Sequence, residues 1–303
     1  MNGTEASRPG SRPARPGISS FDLAARDKVT QMRGLLALDS DGLALDIGSG
    51  TGYTTENVFG DRTTVCVDFH QPNLQYYRQR VRMRGNRARA LCTVATATAL
   101  PFRNGSFKFV LCSEVLEHLE EDDTAAREIA RVLASDGRVL ITVPYSGLGF
   151  TSFLEILGIK TVHDYPGPER HVRPGYDERS LADLLQRHGL SIERYSFYFR
   201  FCTRILADCV SLAHLLYQRI AHGRRSWTWS DAAASETSWV FRLYAWMFPL
   251  LWTLSRADVA LGGLRGFGLI AVAAKESAPR GMALEMASHS PGPGHGHGEN
   301  HRR

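Results

Sequence analysis

Ten residues constrain this chain more than any other part of its sequence: Leu43-Ala44-Leu45-Asp46-Ile47-Gly48-Ser49-Gly50-Thr51-Gly52. A short apolar strand runs straight into three glycines at alternate positions, and Tyr53-Thr54-Thr55-Glu56 then opens a helix. Without a Cβ, glycine lets the backbone come close to a ligand, and the helix that follows turns its N-terminus toward an anion. A dinucleotide fingerprint would need a third glycine where Tyr53 stands, and a phosphate-binding P-loop would need Gly-Lys-Ser/Thr. An acid ahead of Gly-x-Gly-x-Gly instead suits a ligand with an amino-acid end and no pyrophosphate. Asp46 would attract an ammonium group, directly or through water, and the loop amides would hold a carboxylate.

Around this loop, strands alternate with helices. Strand-like runs cover 43–47, 63–67, 91–95, 107–112, 138–143, 191–198 and 266–274, and helical patterns cover 71–83, 123–133 and 177–188. Such alternation predicts an α/β fold: a Rossmann-like, seven-stranded, mostly parallel sheet with helices on both faces. Two segments exceed a minimal sheet. One spans 145–175; the other, 201–263, is mostly helical and apolar and precedes the last strand. The domain expectation is a loose arm over 1–20, one domain over 21–275 that includes the insertion, and a loose His/Gly/Pro-rich tail over 276–303. No internal repeat is found.

Asp68 ends the second strand, twenty-two residues beyond Asp46. A carboxylate at that place can accept both hydroxyls of a ribose. Phe69 follows and is placed to lie against an adenine face. An isolated Asp at a strand end is more often a turn or cap; its spacing from the glycine loop tips the balance toward the ligand.

Five stretches in register now resemble the class I S-adenosylmethionine-dependent methyltransferases, and within them the type-11-like subfamily of ubiquinone-type and small-molecule enzymes. They are Leu45 to Gly52; Val67-Asp68; Ala99-Leu100-Pro101-Phe102 with Gly105-Ser106-Phe107; Cys112 to Leu119; and Arg131-Val132-Leu133 with Gly137-Arg138-Val139-Leu140. The resemblance implies S-adenosyl-L-methionine as cofactor. Asp46, Gly48, Ser49, Gly50, Thr51 and Gly52 would hold its methionine part, and Asp68 and Phe69 its ribose and adenine. Thr96 and Ala97 would read the adenine edge, and Ser113 and Glu114 would line the methionine side. Thr96 stands where the family usually has Asp, and Lys108 where an acid is frequent.

Methyl transfer from a sulfonium is an in-line displacement, so the protein supplies mainly position. A base helps only where the acceptor must lose a proton. Candidate bases follow strands four and five: His118, His171 and Tyr145, with His163 and Asp164 in the long insertion. Glu117, Glu120, Glu121, Asp122 and Asp123 read as a solvated helix start. No metal is expected in the site. The chain has no Cys-x-x-Cys pair, and its five cysteines are too few for a disulfide framework. Cys66, Cys92 and Cys112 read as buried thiols, and the tail histidines His289, His295, His297 and His301 lack a rigid element to fix them.

The insertion speaks to the acceptor. All five tryptophans lie between Trp227 and Trp252, with Arg224, Arg225, Arg242 and Arg256 around them. Aromatic residues beside arginines at the ends of apolar helices mark a membrane interface, or else a helical cap over the site. Either yields an apolar acceptor pocket. The uncharged run 243–255 has thirteen residues, short of the ~18 that suggest a spanning helix. The first twenty residues lack the apolar core of a secretory signal. The expected location is therefore cytoplasmic, with a peripheral place at the inner face of the membrane as its extension.

Net charge is +5, of which +2 sits in the first twenty residues, too little to imply nucleic acid. The expected function is methyl transfer to a small-molecule or lipid-linked acceptor. Two alternatives stand beside it: a protein or nucleic-acid methyltransferase, and a non-catalytic interaction module of the same fold.

Overall fold

A computed structural model describes residues 22–36, 38, 41–83, 90–147, 154, 171–222, 239–260 and 265–276. The expected arm, nearly all of the tail with its histidines, most of 145–175 (His163 and Asp164 included), and Trp227 and Trp229 lie outside the described residues.

The elements run α1 (Leu23–Leu35), β1 (Ala44–Ile47), α2 (Tyr53–Phe59), β2 (Thr64–Asp68), α3 (Gln71–Met83), β3 (Ala90–Val94) and β4 (Phe107–Ser113). A 3-10 turn (Leu116–His118) leads to α4 (Asp122–Val132) and β5 (Leu133–Pro144). Then come α5 (Glu178–Gln186), β6 (Leu190–Tyr198), α6 (Phe201–His222), α7 (Trp239–Ser255), α8 (Ala257–Ala260) and β7 (Gly268–Lys275). The sheet order is β3-β2-β1-β4-β5-β7-β6. Every pairing from β3 to β5 is parallel, whereas β7 runs antiparallel to both β5 and β6.

Parallel strands buried on both faces take mostly apolar side chains, and the central strands have them. Along β5 and β7, Val139, Ile141, Val143, Leu269, Ala271 and Ala273 point to one core with Ile129 of α4 and Leu184 of α5. The alternate residues Leu140, Ile270 and Val272 point to a second core with Met32 of α1 and Phe59 of α2. The period of two is the pleat itself.

Two details depart from the sequence reading. Strand β5 begins at Leu133, ahead of the 138 expected, and takes in Asp136-Gly137, and the register shifts opposite it between Phe107 and Phe109. Lys108 pairs with Asp136 there, so the unusual lysine has a local partner. Helix α1 was not anticipated; the Asp22 side chain caps it by accepting from the Ala24 and Ala25 amides. Cys66, Cys92 and Cys112 are buried free thiols, as expected.

The insertion is helical where it is described. Asp258 of α8 accepts from the Cys202 and Thr203 amides and from the Thr203 hydroxyl, which ties α8 to the start of α6. Asp27 of α1 accepts from the Phe199 amide and fixes the turn between β6 and α6. No described helix is long and apolar enough to cross a membrane.

Candidate active site

Because β1, β2, β4 and β5 are parallel, their carboxyl ends share one edge, where open α/β sheets bind ligands. A shallow cleft of about 690 Å³ lined by Leu38, Gly42, Leu43 and Arg62 opens at the amino end of β1, opposite this edge.

The glycine loop leaves β1 with the Gly48 and Ser49 amides both donating to the Val67 carbonyl, at 2.8 and 3.0 Å. Gly48, Gly50 and Gly52 have φ of +69°, +52° and +77°. At Gly52 a Cβ would run into the Tyr77 ring of α3, and at Gly48 into Val115, so only glycine fits both. Nothing lies within 4 Å of where a Gly50 Cβ would be, so the loop leaves open space on that side. Ser49 is buried and its hydroxyl has no partner, while Thr51 is exposed at the tip.

Two carboxylates fasten this loop. Asp68 accepts from the Gly50 amide through one oxygen and from the His70 amide through the other, both at 2.8 Å. An ionised carboxylate offers about four lone-pair sites, so acceptor capacity remains for hydroxyls. Asp46 is wholly buried and accepts from the Thr55 hydroxyl of α2. Burial, with the Asp68 charge adding to it, pushes its pKa up to about 7. Thr55 had not been singled out; its position in the first turn of α2, nine residues after Asp46, was the available signal.

Phe69 is 63% exposed beside Asp68. Ala97 is buried, and Thr96 is exposed with its hydroxyl 3.2 Å from that of Thr98. The loop that carries them is gripped from below. Arg131 of α4 donates to the carbonyls of Leu100 and Phe102 and to Asn104, while Glu128 accepts from the Leu100 amide.

After β4, Glu114 has φ of +55°, and its amide donates to the Thr142 carbonyl. Its carboxylate accepts from the Thr142 hydroxyl at 2.6 Å and the Tyr198 hydroxyl at 2.9 Å. The Ser113 and Thr142 hydroxyls lie 2.9 Å apart. Thr142 and Tyr198 come from strands far along the chain, and nothing local in the sequence pointed to them.

The acidic run is not a uniformly solvated face. Glu117 is 0% exposed, neither of its carboxylate oxygens has a hydrogen-bond partner, and burial followed by the Glu114 charge pushes its pKa well above the carboxylate range. The reason is local: the 3-10 turn packs Leu116 and Glu117 inward before α4 begins. Asp122 is also engaged, pairing with Arg173 and accepting from the Tyr176 hydroxyl at 2.7 Å.

The structure brings His118 and His171 together, with ring centroids 4.7 Å apart in an edge-to-face contact. Packing of the ring, then the neighbouring His118, lowers the His171 pKa, while Glu114 opposes this. Tyr145 is engaged elsewhere: its ring packs edge-on to Phe197, and its hydroxyl hydrogen-bonds Glu178, so its pKa is raised, chiefly by desolvation.

Residues 45–141 match the family model described as a methyltransferase domain. A malonyl-[acyl-carrier protein] O-methyltransferase from Halorhodospira halophila is 32% identical over 126 residues, which is 41% of this chain and 37% of that protein. A ubiquinone/menaquinone biosynthesis C-methyltransferase from Hahella chejuensis is 28% identical over 168 residues, 50% of this chain and 68% of that protein. The chain thus spans little more than a third of the first relative's length and about two thirds of the second's. In fold it is similar to the [4+2]-cyclase SpnF, with a TM-score of 0.54 and 19% identity over 84% of this chain and 82% of that one.

Proposed function

We propose that this chain, which carries a class I methyltransferase domain of the type-11 kind over residues 45–141, is an S-adenosylmethionine-dependent methyltransferase acting on a small-molecule or lipid-linked acceptor. The observation that carries the reading is the Asp68 carboxylate. It is fastened to the glycine loop by the Gly50 amide yet retains acceptor capacity, and the space where a Gly50 Cβ would stand is open.

The donor fits the residues present. The Asp68 oxygens take the ribose hydroxyls in charge-assisted hydrogen bonds, worth about 1.5–3 kcal/mol each. Exposed Phe69 takes the adenine face. Thr96 and Ala97 lie at its edge, with Thr96 offering a hydroxyl where a carboxylate would bind more strongly. The loop from Gly48 through Ser49, Gly50 and Thr51 to Gly52 takes the methionine end. Asp46 is buried beneath it and favours the ammonium through its charge without touching it. Ser113 and Glu114 border the same end.

The bound sulfonium supplies an activated methyl group. What the protein adds is alignment of donor and acceptor and exclusion of water. His118 and His171, at the exits of β4 and β5, are the groups placed to meet an acceptor proton. The SpnF likeness shows that this fold also hosts other reactions, so the assignment rests on the site and not on the fold.

The test is calorimetry of the full chain with S-adenosylmethionine. The unaltered protein binds; Asp68→Asn, which keeps an acceptor for the Gly50 amide, and Asp68→Ala each weaken binding about tenfold or more. Absence of binding by the unaltered protein overturns the reading.

A lipid surface is the favoured setting for the acceptor, because α7 turns an apolar stripe outward. Leu243, Trp246, Met247, Leu250 and Leu254 follow helical spacing and are all exposed, Trp246 by 79%. Phe248 of the same helix is 2% exposed; it faces inward, with Tyr244 edge-on and Arg26 over its ring. Trp252 likewise carries Arg26 and Arg256 against its ring. The chain should sediment with anionic vesicles at low salt, and Trp246→Ala with Leu250→Ala should release it. A chain that stays in the supernatant removes the lipid-surface setting and leaves the methyl-transfer reading untouched.

A further inference from the structure

We infer that Glu117, His118 and His171 form a binding site for a divalent first-row transition-metal ion at the acceptor side of the cleft. Among the described residues these three form a group whose donor atoms, one from each side chain, all lie within 4.8 Å of one another. Two ligands on one zinc-sized ion, each about 2.0–2.1 Å from it, sit roughly 3.4 Å apart, so closure needs only small side-chain adjustments.

The second observation is the Glu117 carboxylate itself. It is fully buried, and neither oxygen is hydrogen-bonded. A buried polar group without a partner costs about 1–3 kcal/mol, more for a charged one, and a buried carboxyl group without donors is answered either by a proton or by a metal ion that displaces it. The neighbouring imidazole does not settle it, because His118 Nε2 stands 3.8 Å from Glu117 Oε1, beyond hydrogen-bond reach. His118 Nδ1 is also buried and unpartnered. Three polar atoms are therefore left open within one small volume.

The framework around the group is rigid. The Val172 amide donates to the Glu117 carbonyl at 2.9 Å, which sets the segment bearing His171 against the 3-10 turn. Arg173 Nη2 adds bonds to the Leu119 and Glu120 carbonyls at 2.6 and 3.3 Å. Fifty-three residues separate His118 from His171, and this stitching brings their rings into contact.

The donor set selects the ion. One carboxylate and two imidazoles suit Zn²⁺, Fe²⁺ or Mn²⁺; an all-oxygen set would suit Mg²⁺ or Ca²⁺. Three protein ligands also leave a position free, as in catalytic zinc sites. His171 is exposed, so that position faces the opening. There the ion would take an oxygen of the acceptor and make its hydroxyl a stronger acid, and this would replace proton uptake by His118 or His171, since a coordinated imidazole has no lone pair left for a proton. Ion binding stands independently of the methyl-transfer reading; the acceptor role rests on it.

The test uses the full-length chain with His289→Asn, His295→Asn, His297→Asn and His301→Asn, so that the tail does not compete. Zn²⁺ binding is measured by calorimetry, and Co²⁺ binding by its visible ligand-field absorption, both without S-adenosylmethionine. One equivalent should bind. His171→Ala, at an exposed position that folding does not depend on, should weaken it about tenfold or more, as should His118→Ala and Glu117→Gln. No stoichiometric binding by this parent chain, or binding left unchanged by His171→Ala, overturns the inference. S-adenosylmethionine binding is measured separately on metal-free protein. Donor binding without ion binding sinks only the inference, and ion binding without donor binding sinks only the proposed function.

Discussion

The exits of β1 and β2 and the exits of β4 and β5 lie side by side on one sheet edge, yet their most deeply buried carboxylates, Asp46 and Glu117, are held on opposite terms. At the first, Asp46 is answered by Thr55, and Asp68 by the Gly50 and His70 amides. At the second, Glu117 and His118 Nδ1 are buried with nothing to bond. A side already satisfied holds its shape before any ligand arrives and offers spare acceptor capacity. A side left unsatisfied gains most of its internal stability from what binds there. One half of the cleft is thus suited to a donor common to many reactions, and the other to whatever distinguishes this chain's acceptor.

The largest effect that tests this contrast concerns Asp46. Its carboxyl titrates at about 7 in the folded protein, against an ordinary value of 3.8. The folded state therefore holds a proton that the unfolded state has lost between pH 4 and 7. The stability from this group is fully present below pH 4 and declines as the pH rises through 7, by up to about 4 kcal/mol. Asp46→Asn keeps an acceptor for Thr55 and loses the titration. Urea unfolding at pH 5 and pH 8 should show the unaltered protein falling relative to Asp46→Asn. Parallel pH dependence in the two proteins would mean that the fastened side holds this carboxylate charged, and the contrast would sharpen further.

Legibility in the sequence followed the same division. Asp46, Gly48, Gly50, Gly52 and Asp68 lie within twenty-three residues, and their roles depend on φ and strand ends, which residue type and spacing report directly. The alternation of elements likewise gave seven strands. The direction of β7 was not legible, because a run buried on both faces reads the same either way. Nor was the group around Glu117. Glu117 and His118 share the 3-10 turn, but the Val172 amide and Arg173 that bring His171 to them are tertiary contacts, and the sequence context of Glu117 among four neighbouring acids pointed outward. Tyr198 and Thr142 reach Glu114 by the same kind of long-range placement. Residues that act through local backbone geometry announce themselves; those that act by converging from separate strands do not.

The smallest effect bears on what holds the unsatisfied side together. Arg173 does not belong to the group of potential ligands, but its guanidinium grips the turn that carries two of them. It pairs with Asp122 and donates to the Leu119 and Glu120 carbonyls, two residues from His171. Lysine at this place keeps the charge and loses the planar fork, so it can satisfy one of these acceptors at a time. Arg173→Lys should leave S-adenosylmethionine binding at the β1–β2 side unchanged, since no described contact links Arg173 to the glycine loop. Zn²⁺ affinity should fall about tenfold, the lower end of the roughly 10–100-fold cost of losing a residue that orients ligands without touching the ion. A fall in donor binding by the same factor would show instead that the two sides are one cooperative unit, since distant independent sites do not share such losses.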